Sequence, residues 1–108
     1  MQVDIVIPCY NQSQWLGECL QSVMDQTHRN WKVIVVDDAS MQGDVSHVLN
    51  GFEDARLRLI RHAENRGLAA SRNTGIRASD GELILPLDAD DKLSPRYLES
   101  VIDYFSAH

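Results

Sequence analysis

The chain has 108 residues, 44% of them hydrophobic and 24% charged, with a formal net charge of −6. This is enough chain for one domain with one core, and no apolar run approaches the roughly 20 residues a membrane-spanning helix needs. The acidic balance argues against sequence-blind binding to nucleic acid or anionic lipid, and a phosphate-bearing ligand would need local positive charge from an arginine or a metal.

Met1 and Gln2 lead at once into a strand-like run, with no basic leader and no signal-peptide core, so the expected compartment is the cytoplasm. Strand-like runs begin near Val3, Lys32, Leu57 and Glu82, about 25 to 30 residues apart, the length of a βα unit. The first, VDIVIP, is β-branched and almost continuously apolar, as strands covered on both faces of a parallel sheet are. A helix follows, with Trp15, Leu16, Cys19, Leu20, Val23 and Met24 on one apolar stripe and Ser13 as its expected N-cap. The second strand, KVIVVD, again reads as central. A short helix carries Val45, Val48, Leu49 and Phe52, with Gly51 near its end. The third strand, LRLIR, alternates strictly and is predicted to lie at an edge, with Leu57 and Leu59 facing one way and Arg58 the other.

An Ala-rich helix from about Leu68 to Ala78 has side chains small enough for close packing on a sheet. In the fourth strand, ELILPL, Pro86 cannot donate to a ladder and marks the strand's end or an unpaired side. The last helix is expected to open with Ser94 as N-cap and Pro95 at its first position, then to place Tyr97, Leu98, Val101, Ile102 and Phe105 on one stripe. Trp15 and Trp31 are expected in the core. Cys9 and Cys19 fit neither a disulfide framework nor a metal knuckle and are expected to be reduced. The histidines at 28, 47, 62 and 108 lack metal-ligand spacing and are taken as surface or packing residues.

Alternating β and α elements with short loops imply right-handed crossovers, hence an α/β, Rossmann-like parallel sheet with helices on both faces. A mononucleotide-binding half would have the strand order 3-2-1-4, with ligands bound outside the carboxyl ends of the strands. PCYN, DDAS and DADD all fall there. Asp88, Asp90 and Asp91 repel one another unless solvated or neutralised, and an all-oxygen cluster suits magnesium or manganese. Asp38 could accept from a base N–H or a ribose hydroxyl; alternatively Asp38 or Ser40 caps the next helix or makes an Asx turn. No Gly-rich phosphate loop is present, so phosphates would depend on a metal. From its position alone, Arg72 is better explained by solvent than by a ligand, a reading the family resemblance below reverses.

Together, the stretches from Asp4 to Ser40, NRGLAASRNTGI and GELILPLDADD resemble, in order, the nucleotide-binding half of the family-two inverting glycosyltransferases with the GT-A fold. The resemblance implies that Pro8 to Asn11, including Tyr10, border the nucleobase. It implies that Asp38 recognises the base, that Arg72 lies near base and phosphates, and that Asp88 contacts the ribose. Asp90 would ligate a Mn2+ or Mg2+ ion bridging the donor's diphosphate, while Asp91 is given no definite role. The partner would be a nucleotide-diphosphate sugar, UDP-linked by expectation, with GDP and dTDP open. The acceptor would be a carbohydrate or a lipid-linked hydroxyl, without nucleic acid. A full-length protein could also sit peripherally on the inner face of the membrane.

In that family the general base lies in a later segment, expected here beyond His108. Residues 1–108 are therefore expected to form a single, truncated donor-binding portion that transfers no sugar alone. Ala39 stands where glycine is frequent, a change expected to alter little. Two other readings compete. LPLDADD also resembles the aspartyl-nucleophile strand end of haloacid-dehalogenase phosphotransferases, but lacks the usual threonine. The paired Asp37 and Asp38 suggest a receiver-like phosphoacceptor module, which would need a further aspartate after the third strand, where the sequence is LIRH.

Overall fold

A computed structural model describes residues 1–107; His108 lies outside the described residues. The elements run β1 Val3–Cys9, α1 Ser13–Met24, β2 Trp31–Asp37, α2 Val45–Asn50, β3 Leu57–Arg61, α3 Leu68–Ala78, β4 Leu83–Pro86 and α4 Tyr97–Ala107. The four strands form one parallel sheet, as the βα periodicity implies, in the order β3-β2-β1-β4 expected of a mononucleotide-binding half. The register sets Val3 opposite Trp31 and Leu83, and Val33 opposite Leu57.

Side-chain alternation divides the sheet into two packed faces. On one, Val3, Ile5, Ile7 and Cys9 of β1 and Trp31, Val33 and Val35 of β2 meet Leu16, Cys19, Leu20 and Val23 of α1, with Leu98 from α4. On the other, α3 packs against β1 and β2, where Val6, Ile34 and Val36 are buried. A Cβ added at Gly75 would run into the Val6 side chain, so α3 reaches the sheet only because this residue has none. The edge strands behave as their patterns predict. Leu57 and Leu59 are half-buried while Arg58 is exposed. Leu87 N–H donates to Val6 O, which puts the missing N–H of Pro86 on the open edge beyond β4.

Several expectations are corrected. Trp15 is 47% exposed, because the buried stripe of α1 runs through Leu16, Cys19, Leu20 and Val23 and leaves Trp15 on its flank. Trp31 is in the core as expected, with the Arg56 guanidinium stacked 3.6 Å from its ring centroid. Ser13 is the first helical residue of α1 rather than its cap; Gln12 holds that position without a side-chain bond. Ser94 and Pro95 form a turn ahead of α4, in which Ser94 O accepts from Tyr97 N and Gln26 Nε2. On α4 only Leu98 is fully buried; Tyr97 and Phe105 are exposed. No helix among the described residues is long and apolar enough to cross a membrane.

At the amino end of the sheet, the buried Asp4 carboxylate accepts from Asp80 N and Gly81 N at 2.8 and 2.9 Å and from Gln2 Nε2. Burial alone would raise its pKa, but these donors outweigh burial and hold it below the ordinary value. The Arg56 side chain holds Asp54 at about 2. Both carboxyls are depressed in the folded state. Their stabilisation is therefore fully present above the unfolded-state value near 3.9 and is lost as pH falls through the folded values. Urea midpoints are expected to stay constant from about pH 7 to 5 and to decline steadily below about pH 4. A midpoint unchanged at pH 2.5, roughly midway through that window, would contradict this.

Candidate functional site

The alternation of β4 continues past its last hydrogen bond and builds an acidic turn. Leu87 and Ala89 point into the core while Asp88 and Asp90 point out. Asp91 N–H then donates to Asp88 O at 3.0 Å, closing the turn and bringing the third carboxylate to the same side. One oxygen from each of Asp88, Asp90 and Asp91 lies within 4.8 Å of the others. Across an octahedral magnesium site opposite ligands are about 4.2 Å apart, so the spacing and the all-oxygen chemistry fit a hard divalent cation. Arg72 Nη2 lies 3.4 Å from Asp88 Oδ1. Lys92 turns away to Glu18 at 3.2 Å. Among the described residues, Arg72 is thus the only basic side chain paired with this cluster, through Asp88.

A cleft of about 300 Å³ opens at the carboxyl ends of β1 and β2, lined by Pro8, Cys9, Tyr10, Gln12, Asp38, Asn65, Gly67, Leu68 and Ser71. Leu68 and Arg72 are four residues apart on α3, hence on one face of the helix. The cleft wall therefore leads along α3 to the acidic turn. Cys9 and Cys19 are free, as expected, and burial pushes their thiols up to about 11 and about 12.

Asp38 is buried at the end of β2 and makes three short bonds. Its Oδ1 accepts from His62 Nδ1 and Arg66 N, and its Oδ2 accepts from Gly67 N, all at 2.8 Å. Burial raises its pKa, but the His62 and backbone donors prevail and hold it below the ordinary value. Asp38 neither caps α2 nor makes the Asx turn. Asp44 accepts from His47 N as the cap, and Asp37 Oδ1 accepts from Ser40 N at 2.9 Å. With a buried, triply bonded carboxylate, Asp38 is poorly placed as a phosphoacceptor.

The structure thus groups Pro8, Tyr10 and Asp38 in the cleft, and Arg72, Asp88, Asp90 and Asp91 at the acidic turn. Asn11 is absent from the lining. Its carboxamide oxygen accepts from Met41 N and Gln42 N at 2.8 and 3.1 Å and ties the loop after β1 to the loop after β2. Ala39 in the latter loop has φ 60, a left-handed conformation costing an alanine roughly 1 kcal/mol and free to glycine. Sequence reasoning missed Gln12, Asn65 and Ser71, and took His62 for an unremarkable histidine. The ENRG stretch before α3 was the signal available, since Gly67 at φ 95 turns the chain into the helix beside the cleft.

Comparison with known proteins gives a consistent picture. The family model described as Glycosyl transferase family 2 matches residues 4–108. An uncharacterized glycosyltransferase of Rickettsia bellii is 38% identical over 99 residues, covering 91% of this chain and 14% of that protein. The crystal structure of S. aureus TarS 1-349 in complex with UDP has a TM-score of 0.91 at 25% identity, covering 100% of this chain and 33% of that one. Mannosyltransferase PcManGT from Pyrobaculum calidifontis, in complex with GDP-Man and Mn2+, has a TM-score of 0.76 at 29% identity, covering 83% of this chain and 28% of that one. The chain spans a third or less of the length of each.

Proposed function

Since this chain belongs to glycosyl transferase family 2, we propose that its cleft and acidic turn form the nucleotide-sugar donor site of a metal-assisted, inverting glycosyltransferase. The observation that carries the reading is the convergence of Asp88, Asp90 and Asp91 beside a cleft walled by Asp38 and the start of α3. In this reading Pro8 and Tyr10 flank the base, and the remaining lone pair of Asp38 Oδ2 accepts from a base N–H. Asn11 acts one step back by fixing the loop that carries Tyr10. Asp88 takes a ribose hydroxyl. Arg72, now on Asp88, is within a side-chain swing of the diphosphate. Asp90, with Asp91, supplies carboxylate oxygens to a Mn2+ or Mg2+ ion, which when bound stabilises negative charge on the departing nucleoside diphosphate.

Inversion also requires a general base at the acceptor hydroxyl. At this end of the sheet Asp37 is tied to Ser40 and Arg61, Asp38 is held by His62 and two backbone amides, Asp44 caps α2, and Asp88, Asp90 and Asp91 form the acidic cluster. Following the family resemblance, we take the base, and with it the acceptor pocket for a carbohydrate or lipid-linked hydroxyl, to lie in a part of the longer relatives that this chain does not match. UDP is favoured as the nucleotide by the likeness to a structure solved with UDP; the likeness to one solved with GDP-Man keeps GDP in contention.

Calorimetric titration of UDP, GDP and dTDP, each with and without Mn2+, tests the proposal. UDP is expected to bind only when the metal is present, with GDP and dTDP at least about tenfold weaker, the cost of one unsatisfied polar group. Failure of all three nucleotides to bind with Mn2+ would reject the donor-site reading.

A further inference from the structure

The buried His62 joins elements far apart in the chain, each of which contributes to the cleft. Its side chain is 5% exposed and follows β3 directly. Nδ1 lies 2.8 Å from Asp38 Oδ1, at the end of β2. Nε2 lies 2.8 Å from Thr74 Oγ1, on the second turn of α3, and Thr74 in turn donates to Ala70 O at 3.0 Å. His62 N–H also donates to Asp37 O at 2.9 Å, which fixes the backbone that carries the ring. The imidazole is therefore a cross-brace between the strand end bearing Asp38 and the helix bearing Ser71 and Arg72.

This brace has a consequence for direction. With Oδ1 occupied by His62 and Arg66 N, and one lone pair of Oδ2 by Gly67 N, the Asp38 carboxylate cannot rotate without losing three bonds. A carboxylate offers about four acceptor positions, so one remains on Oδ2, the oxygen bonded to the loop that lines the cleft. Removing His62 frees Oδ1, leaves a buried charge short of a donor, and allows the carboxylate to re-aim.

We infer that His62 is a positioning residue for nucleotide recognition. Without touching the ligand, it holds the Asp38 carboxylate at the angle that accepts from the base, with Thr74 of the sheet-anchored α3 steadying the ring. The inference rests on the donor-site reading above. It adds that base recognition depends on a side chain outside the cleft, whereas metal and diphosphate binding at the acidic turn do not.

The test compares the intact chain with His62→Ala, His62→Asn and Thr74→Val. Asparagine keeps an N–H donor near the place of Nδ1, and valine cuts only the α3 side of the brace. Two probes are titrated by calorimetry, UDP with Mn2+ and inorganic pyrophosphate with Mn2+. His62→Ala is expected to weaken UDP binding by about tenfold or more while pyrophosphate binding stays within about twofold. His62→Asn is expected to recover most of the loss, and Thr74→Val to fall between. Unchanged UDP affinity in His62→Ala, or equal loss of both probes, would show a packing role only and overturn the inference. If His62→Ala does not fold, absence of any UDP-selective loss in Thr74→Val overturns it instead. Hydrogen exchange at the Arg66 and Gly67 amides separates this inference from the donor-site reading. If the wild-type chain binds no UDP, the donor-site reading fails. Faster exchange at both amides in His62→Ala or Thr74→Val would still support the brace, and unchanged exchange in both would refute it.

Discussion

Asp90→Asn is expected to weaken Mn2+-dependent UDP binding by about 100-fold or more while leaving the unfolding midpoint within about 0.5 kcal/mol of wild type. Asp90 is exposed, so its replacement removes charge and a proposed ligand oxygen without opening a buried cavity. The exchange even relieves repulsion with Asp88 and Asp91. Asp88→Asn makes an informative contrast, because Asp88 also pairs with Arg72 at 3.4 Å. Its loss should release the arginine and produce a smaller decrease that varies less with metal concentration. Calorimetry across a Mn2+ series separates the two variants. An Asp90→Asn chain that still binds UDP in a metal-dependent manner would remove Asp90 from the proposed ligand set.

The second large effect is on stability. Gly75→Ala is expected to cost about 1–3 kcal/mol, because the new methyl group would overlap Val6 and push α3 off the sheet. For a domain of this size each kcal/mol lowers the melting temperature by about 4–8 °C. Alanine is the better helix former, so propensity alone predicts the opposite sign. The decisive measurement is a double-mutant cycle with Val6→Ala. In that background the space opposite Gly75 opens, and the cost of the methyl group should shrink by more than half. An equal cost in both backgrounds would mean that Val6 is not what forbids a side chain at 75. Because α3 carries Ser71 and Arg72, the single variant should also weaken nucleotide binding.

Much of this architecture is legible in the sequence for a simple reason. VDIVIP and KVIVVD are apolar on both faces because both faces are covered, and LRLIR alternates because β3 is an edge. Parallel pairing then follows from βα alternation, and the order 3-2-1-4 from the mononucleotide-binding pattern. The acidic turn is legible too, since the apolar approach and the D-x-D spacing lie within one short segment.

What escapes are contacts whose partners are remote in the chain. His62 lies 24 residues from Asp38 and 12 from Thr74, and nothing local distinguishes it from His28 or His47. Asp4 closes a turn 76 residues away. Asn11 looks like a binding residue at a strand end, yet it spends its carboxamide oxygen on two backbone amides of a neighbouring loop. Trp15 shows the weakness of a stripe argument. A residue next to the first buried position of a helix is turned about 100° from it, and hydrophobicity alone cannot tell flank from face.

The opposite environments of the two tryptophans make the chain its own optical reporter. Trp31 is sealed beneath Arg56 at the amino end of the sheet, whereas the Trp15 indole is open to solvent on the flank of α1. Iodide reaches one indole and not the other. Emission that iodide quenches therefore reports the outer flank of α1, and the protected emission reports the integrity of the sheet. Local change at α1 and loss of the core become separable signals in one unlabelled sample.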